Sequence, residues 1–240
     1  MKLSIIIPVY NEAATVEKVL KAVQDVKLPK GMTREIVVVE NGSTDGTHEI
    51  LEKHQHDKDT VLFFPDGHIG KGFKVRHGLE HATGDIILIQ DADLEYDVND
   101  YPELLAPLLA KKASFVLGSR HMRTKSWKVR KLAKSSHAHL LNFGDAVLKR
   151  FFWLITGTYL TDPNTMFKVF DKRCLLDITL RSNDFDLDME LLVKLLRRGY
   201  KPVEVPVSYR GRGYDEGKKI HPVKDGLRAI KAILRYRFFD

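Results

Sequence analysis

Asp91 and Asp93 stand either side of one alanine, directly after the apolar run Ile86-Ile87-Leu88-Ile89. Two carboxylates so placed repel each other unless something positive lies between them. Oxygen donors of this kind suit a hard cation, Mg2+ or Mn2+, which typically keeps waters and bridges substrate phosphates. Glu95 and Asp97 extend the acidic run, and Glu95 offers a third ligand. A solvated acidic turn is the structural alternative. Three more polar clusters close apolar runs: Pro8-Val9-Tyr10-Asn11-Glu12, Glu40-Asn41-Gly42-Ser43-Thr44-Asp45-Gly46 and Gly118-Ser119-Arg120. Each alone reads as a turn. Four in register read as one site, because ligands of open parallel sheets bind beyond the carboxyl ends of the strands. Gly70-Lys71-Gly72 opens a helix whose N–H groups suit an anion, although such a turn often only reverses the chain.

The elements that must position these residues follow from the apolar pattern. Residues 3–9, 35–39, 61–64, 85–90 and 114–118 are continuous apolar runs of strand length. Helical spacing marks residues 15–26, 48–54 and 71–83, and Asn99 or Asp100 is placed to cap a further helix with Pro102 in its first turn. Continuous apolar strands alternating with helices predict an α/β fold, its mostly parallel sheet covered on both faces. The second half differs. Residues 120–150 are rich in Lys, Arg and His without a strand signal. Residues 166–170 and 203–208 read as strands, and 187–198 as a helix stopped by Gly199. Residues 210–219 form a glycine-rich charged loop. Residues 223–238 form an amphipathic helix with Leu227, Ile230, Ile233 and Leu234 on one side. No repeat or linker interrupts the chain, so 1–240 is read as one domain.

Composition narrows the partners. The chain has 240 residues, 43% of them hydrophobic, with 39 basic and 32 acidic side chains for a net charge of +7. That excess favours an anionic partner: a nucleotide diphosphate, a lipid phosphate, a membrane surface or a nucleic acid. Acidic clusters at strand ends and the lack of a recognition motif speak against nucleic acid. The lone Cys174, among Leu175, Leu176 and Ile178, reads as a buried thiol. No stretch reaches the roughly 18 apolar residues of a spanning helix. The expected location is cytoplasmic, peripheral on the inner face of the membrane. Phe151-Phe152-Trp153-Leu154-Ile155 after Lys149-Arg150 is suited to a bilayer interface, as is the basic face of the last helix (Lys224, Arg228, Lys231, Arg235, Arg237). Core packing is the alternative for both. The turn after the first run lacks the glycine fingerprint of a dinucleotide site, and no Walker lysine motif is present.

Taken in order, the motifs Pro8-Val9-Tyr10-Asn11-Glu12, Gly42-Ser43-Thr44-Asp45-Gly46, Gly70-Lys71-Gly72, Asp91-Ala92-Asp93-Leu94-Glu95 and Gly118-Ser119-Arg120 resemble family 2 glycosyltransferases. The chain looks most similar to the dolichol-phosphate mannosyltransferase or polyprenyl-phosphate glycosyltransferase group. The likeness continues through Asp162 to Phe170, Glu190, Glu204-Val205-Pro206-Val207-Ser208-Tyr209, Arg212 and Glu216-Gly217-Lys218-Lys219.

The resemblance implies a glycosyltransferase A-type nucleotide-binding fold, with a mixed, mostly parallel sheet and an inverting reaction. Residues 1–119 would hold the nucleotide-sugar and 120–240 the acceptor. Pro8, Tyr10, Glu12, Glu40, Asn41, Lys71, Asp91 and Ala92 would line the nucleotide pocket. The family usually has Asp-Asp where Glu40-Asn41 stands, which opens the base specificity. Asp91, Asp93 and Glu95 would surround Mg2+ or Mn2+, with Asp93 and Arg120 catalytic. Arg120, Arg130, Lys134 and Ser135 resemble the acceptor-phosphate site, and Arg212 and Lys218 a loop that closes over the donor diphosphate.

The chemistry then follows from charge. A sugar leaving a nucleotide diphosphate builds negative charge that a cation offsets. A polyprenyl phosphate is already an anion and needs no general base. A sugar-hydroxyl acceptor on a cell-surface glycan would need one, and Asp188 or Glu190 is the place to look; a helix N-terminal acid cluster explains the same residues. The expected activity is hexose transfer from GDP-mannose or a UDP-sugar to a polyprenyl or dolichyl phosphate. The alternatives are a glycan hydroxyl acceptor or a non-catalytic sugar-nucleotide binder.

Overall fold

The computed structural model describes residues 1–124, 136–212 and 222–240. Seven strands form its centre: β1 (Lys2–Val9), β2 (Thr33–Glu40), β3 (Thr60–Phe63), β4 (Ile86–Ile89), β5 (Phe115–Ser119), β6 (Lys168–Asp171) and β7 (Val203–Pro206). Their order is β3-β2-β1-β4-β6-β5-β7. All neighbours are parallel except β6, which runs antiparallel to both β4 and β5. This is the mixed, mostly parallel α/β sheet expected from the residues.

The strand sequences are apolar without alternation because helices cover both faces. Ile5, Ile6, Ile7, Ile36, Val37, Val38, Ile87 and Leu88 are all buried. The helices are α1 (Val16–Asp25), α2 (Thr47–Glu52), α3 (Lys71–His81), α4 (Tyr101–Leu109), α5 (Arg120–Thr124), α6 (Ser136–Thr156), α7 (Leu187–Arg197) and α8 (Pro222–Phe238). α1 buries Val16, Val19, Leu20 and Val23, one stripe at helical spacing. Each such side chain contributes roughly 1.5–3 kcal/mol by leaving water.

Register decides what meets at the sheet's carboxyl edge. Pro8 pairs with Val39 and Val9 with Glu40, so the turns after β1 and β2 lie side by side. Ile6 pairs with Ile89, which brings Asp91 level with the end of β1. Because β6 is antiparallel, its first residue, Lys168, pairs with Leu117 near the end of β5. The chain entering β6 therefore arrives at the same edge. That is why Asp162 and Thr165 lie beside Arg120 and Gly118.

Two expected details differ. Asp100 occupies the position before α4 but does not cap it; its carboxylate accepts from the Ser208 N–H and pairs with Arg123 at 3.2 Å. The apolar side of α8 is divided. Ala232, Ile233 and Tyr236 are buried, whereas Leu227 is exposed. Cys174 is buried, as expected, and burial pushes its thiol up to about 11. Among the described residues no helix is long and apolar enough to cross a membrane.

Candidate active site

The strand-end turns are sewn together by the side chains of residues 43–47. Ser43 Oγ accepts from the Asn11 N–H at 3.0 Å, Thr47 Oγ1 from the Glu12 N–H at 2.9 Å, and Asp45 from the Ala13 N–H at 3.1 Å. Asn11 Oδ1 accepts in return from the Thr44 N–H at 2.8 Å. The Gly-Ser-Thr-Asp motif is thus a clasp that fixes the β1 turn. Thr15 extends the clasp to the β4 turn, donating to the Ala92 carbonyl at 2.7 Å. Asn11 and Leu94 both adopt positive φ, 49° and 60°. For a non-glycine residue that conformation costs roughly 1–2 kcal/mol, and here it turns Glu12 and Asp93 inward.

The space enclosed is a cavity of about 660 Å³. Pro8, Tyr10, Glu12, Lys71, Asp91, Ala92, Asp93, Glu95, Arg120, Asp188 and Arg212 all line it. The structure thus gathers most of the residues singled out from sequence into one place. His68 joins them, its ring 4.2 Å from that of Tyr10. No sequence signal marked His68; it is set there by the packing of residues 67–68 on Gly42, where a Cβ would come within 2.8 Å of the His68 Cβ.

The acids carry their own cations. Lys71 Nζ is 2.6 Å from Asp91 Oδ1. Arg212 makes two hydrogen bonds to Glu12, at 2.9 and 3.1 Å, and lies 3.3 Å from Asp93. Burial works against the Lys71 ammonium, but Asp91 outweighs it and holds its pKa above the usual lysine range. Burial pushes Asp93 up to about 7, helped by Asp91 and Glu95. Burial also raises Asp91, with Asp188 and Glu95 adding to it against Lys71. Among the described residues that line the cavity, carboxylates outnumber lysines and arginines. An oxygen-rich cavity with that imbalance fits a hard divalent ion.

Several sequence expectations are redrawn. Glu95 spends both carboxylate oxygens on the chain at 209–212: one accepts from the Tyr209 hydroxyl, the other from the Arg212 N–H at 2.7 Å. It anchors that segment while still lining the cavity beside Asp91 and Asp93. Glu40 does not face the cavity. Its oxygens accept from the Ser43 N–H at 2.8 Å and meet His48 Nδ1 at 2.9 Å. Burial opposes ionisation of Glu40, yet these bonds outweigh it and keep its pKa low. Asn41 is 1% exposed, and among the described residues neither its Oδ1 nor its Nδ2 has a hydrogen-bond partner. Gly70 and Gly72 answer to packing: a Cβ on either would strike residues 182–184, at 2.0 and 2.6 Å. Phe73 N–H donates to the Asn183 carbonyl, so this helix start is occupied by protein.

Glu190 is also set apart. It is fully buried and accepts from the Arg181 and Ser182 N–H groups at 2.8 and 2.7 Å, with Lys194 Nζ at 2.9 Å. It holds a loop and does not reach the cavity. Asp188 does reach it, paired with the buried Lys168 at 3.2 Å. Arg120 is held by Asp162, through Nε and Nη2 at 2.7 Å each and its backbone N–H at 3.0 Å, with Asp145 at 4.0 Å. Its guanidinium lies over the Tyr209 ring, 5.1 Å from the centroid. Nothing in the residue spacing marks Asp162 as the partner of Arg120, because the pairing exists only once β6 is placed between β4 and β5. Arg130, Lys134, Ser135 and Lys218 lie outside the described residues.

Two helices of the second half also line the cavity, bringing Asp145 and Asp225 together with apolar side chains. Phe143, Val147 and Leu148 of α6 and Leu227 and Ile230 of α8 line it. Phe143, Val147 and Leu227 are exposed large apolar side chains. Of the run 151–155, Phe152 is core, while Leu154 is 68% exposed.

Residues 4–175 match the sequence model of glycosyl transferase family 2. The chain belongs to that family. It is 29% identical over 223 residues to the glycosyltransferase AglJ of Haloferax volcanii, covering 92% of this chain and 67% of AglJ. It is 27% identical over 242 residues to the glycosyltransferase AglD of the same organism, covering 98% of this chain but only 37% of AglD. The fold is similar to that of glucosyl-3-phosphoglycerate synthase from Mycobacterium tuberculosis, solved with Mn2+, uridine diphosphate and phosphoglyceric acid. That match has a TM-score of 0.69 at 19% identity and covers 98% of this chain and 78% of the other. In this family 2 glycosyltransferase the acids stand beyond the carboxyl ends of the strands, the edge at which open α/β sheets generally bind ligands.

Proposed function

We propose that this glycosyltransferase moves a hexose from a nucleotide-sugar, GDP-mannose or a UDP-sugar, to a polyprenyl phosphate, with inversion at the anomeric carbon. The observation that carries the reading is the mixed lining of one cavity: Asp91, Asp93 and Arg212 from the strand ends and the segment after β7, with Phe143 and Val147 of α6 and Leu227 of α8. A donor diphosphate and a lipid phosphate would meet there, with the lipid chain along α6 and α8. The uridine diphosphate and Mn2+ bound by the mycobacterial synthase of the same fold support a nucleotide-sugar donor and a divalent cation here.

Tyr10 and His68, their rings tilted by 37°, offer aromatic faces for the base, and the buried amide of Asn41 would offer a donor and an acceptor to read its edge. Asp91 and Asp93 would hold Mg2+ or Mn2+, which would neutralise charge on the departing diphosphate. Lys71 and Arg212, which now neutralise those acids, would turn to the phosphate oxygens once a cation takes their place. The acceptor's phosphate oxygen forms the new bond to the anomeric carbon as the bond to the nucleotide diphosphate breaks. An anionic nucleophile gives up no proton, so no base is required. Arg120, held by Asp162, would orient the acceptor phosphate. The exposed Phe143, Val147 and Leu154 on α6 favour peripheral contact with a bilayer.

The test is transfer from a panel of labelled nucleotide-sugars to a short polyprenyl phosphate with Mn2+ or Mg2+. A chloroform-soluble, acid-labile product is expected. Label appearing only on soluble hydroxyl acceptors would overturn the lipid reading and point to Asp188 as base.

A further inference from the structure

The last two turns of α3 carry a second group of ligating side chains. His77, Glu80 and His81 stand at i, i+3 and i+4 and share one face of the helix. One ring nitrogen of each histidine and one carboxylate oxygen all lie within 4.8 Å of one another. Nitrogen ligands about 2.1 Å from a tetrahedral ion sit roughly 3.4 Å apart. Rotation of the exposed Glu80 side chain, with small shifts of the two rings, closes that difference.

The imidazoles are also braced and oriented. His81 Nδ1 lies 2.8 Å from the His77 carbonyl, so this nitrogen carries the proton and Nε2 keeps its lone pair. Metal-binding histidines are commonly fixed in this way, with the other ring N–H on a carbonyl. Phe63 of β3 packs against both rings, with centroids 4.2 Å from His81 and 5.2 Å from His77. The two imidazoles are 4.5 Å apart.

We propose that His77, Glu80 and His81 form a site for a borderline divalent ion, Zn2+, Cu2+ or Ni2+, with the remaining position open to water. Imidazole donors select these ions over Mg2+ and separate the site chemically from the oxygen-only acids of the cavity. It is also separate in space: His81 is ten residues from Lys71, about 15 Å along the helix. An ion bound here ties the end of α3 into one unit beside β3 and stabilises the folded chain by mass action.

The full chain, with excess Mg2+ present to occupy the cavity, is titrated with Zn2+ against a chromophoric chelator. One Zn2+ per chain is expected, with affinity falling at least about tenfold in His81→Ala and further in His77→Ala/His81→Ala. Cu2+ electron paramagnetic resonance gives the second readout: two nitrogen couplings in the native chain and one in His81→Ala. Circular dichroism of the metal-free variants checks that they fold. Unchanged Zn2+ affinity in the double variant overturns the proposal. Among the described residues His121, Asp145 and Asp162 form another cluster of such side chains, so loss of the ion in His121→Gln with the α3 histidines intact also overturns it.

Discussion

Arg212 closes on Glu12 across 200 residues of sequence, its two terminal nitrogens 2.9 and 3.1 Å from the two carboxylate oxygens. The pair joins the turn after β1 to the segment that Glu95 anchors at 209–212. A guanidinium so placed can exchange one set of anions for another. In the free protein it serves Glu12 and Asp93; with donor bound it is in reach of a diphosphate.

Arg212→Ala is therefore expected to lower kcat on the order of 10²- to 10³-fold, with a smaller change in KM for the nucleotide-sugar. Arg212→Lys should recover little, because an ammonium cannot make the paired contact. Steady-state kinetics with the preferred donor decide it. A pure KM effect would mean that Arg212 serves binding alone.

Lys71 gives a test of the cation that needs no turnover. Lys71→Met leaves Asp91 buried beside Asp188 and Glu95 without its ammonium, a loss of about 3–5 kcal/mol. In chelator the variant should melt several degrees below the native chain. Mn2+ should then raise its melting temperature by more than it raises that of the native chain, because the ion replaces the missing charge. Equal shifts in the two proteins would remove Asp91 from the metal site.

Much of this was legible in the residues because strands and strand-end clusters are local. Ile5-Ile6-Ile7 and Ile86-Ile87-Leu88-Ile89 announce buried strands, and the polar residues that follow them mark the ligand edge. What was not legible depends on non-local pairing. The antiparallel place of β6 brings Asp162 to Arg120, and no spacing in the sequence predicts that. The sequence shows Glu40 and Glu95 as carboxylates, suited to a nucleotide pocket and to a metal, but not the N–H groups that each one serves. The glycines at 70 and 72 resembled a phosphate turn, but their lack of side chains answers the close approach of residues 182–184.

Asn41 offers a case where stability and binding should part. A buried amide with no partner costs roughly 1–3 kcal/mol. Asn41→Leu, similar in shape, should leave the melting temperature of the free protein unchanged or higher. Nucleotide affinity should fall about tenfold, equivalent to one lost hydrogen bond of about 1.4 kcal/mol. Calorimetric titration with GDP and UDP against the native chain measures it. Unaltered affinity for both would separate Asn41 from the base.

At the opposite edge of the sheet, Glu35 sets an acid limit. Burial alone would raise its pKa, but Lys2, Ser4 and Thr83 outweigh this and hold it at about 2. The folded value lies below the unfolded one, so its stabilisation is complete above about 4.5 and is lost as pH falls toward 2. Roughly 2 kcal/mol should disappear over that window, allowing for partial screening by solvent. Urea unfolding of Glu35→Gln from pH 5 to pH 2 should show a flatter dependence than the native chain. Parallel curves would assign the acid loss to other groups.

Arg120 and Asp162 must be tested together. Asp162 is fully buried, so Arg120→Ala strands a carboxylate and should cost about 3–5 kcal/mol whether or not Arg120 touches an acceptor. Arg120→Ala/Asp162→Asn removes the stranded charge, while the amide oxygen that replaces the carboxylate can still accept from the backbone N–H of residue 120. The double variant should recover most of the lost stability and bind nucleotide normally. If Arg120 orients the acceptor phosphate, transfer stays impaired in the double variant despite its recovered fold. If transfer returns with stability, the guanidinium's work is done on Asp162 alone, and the acceptor contact belongs to other cations of the second half.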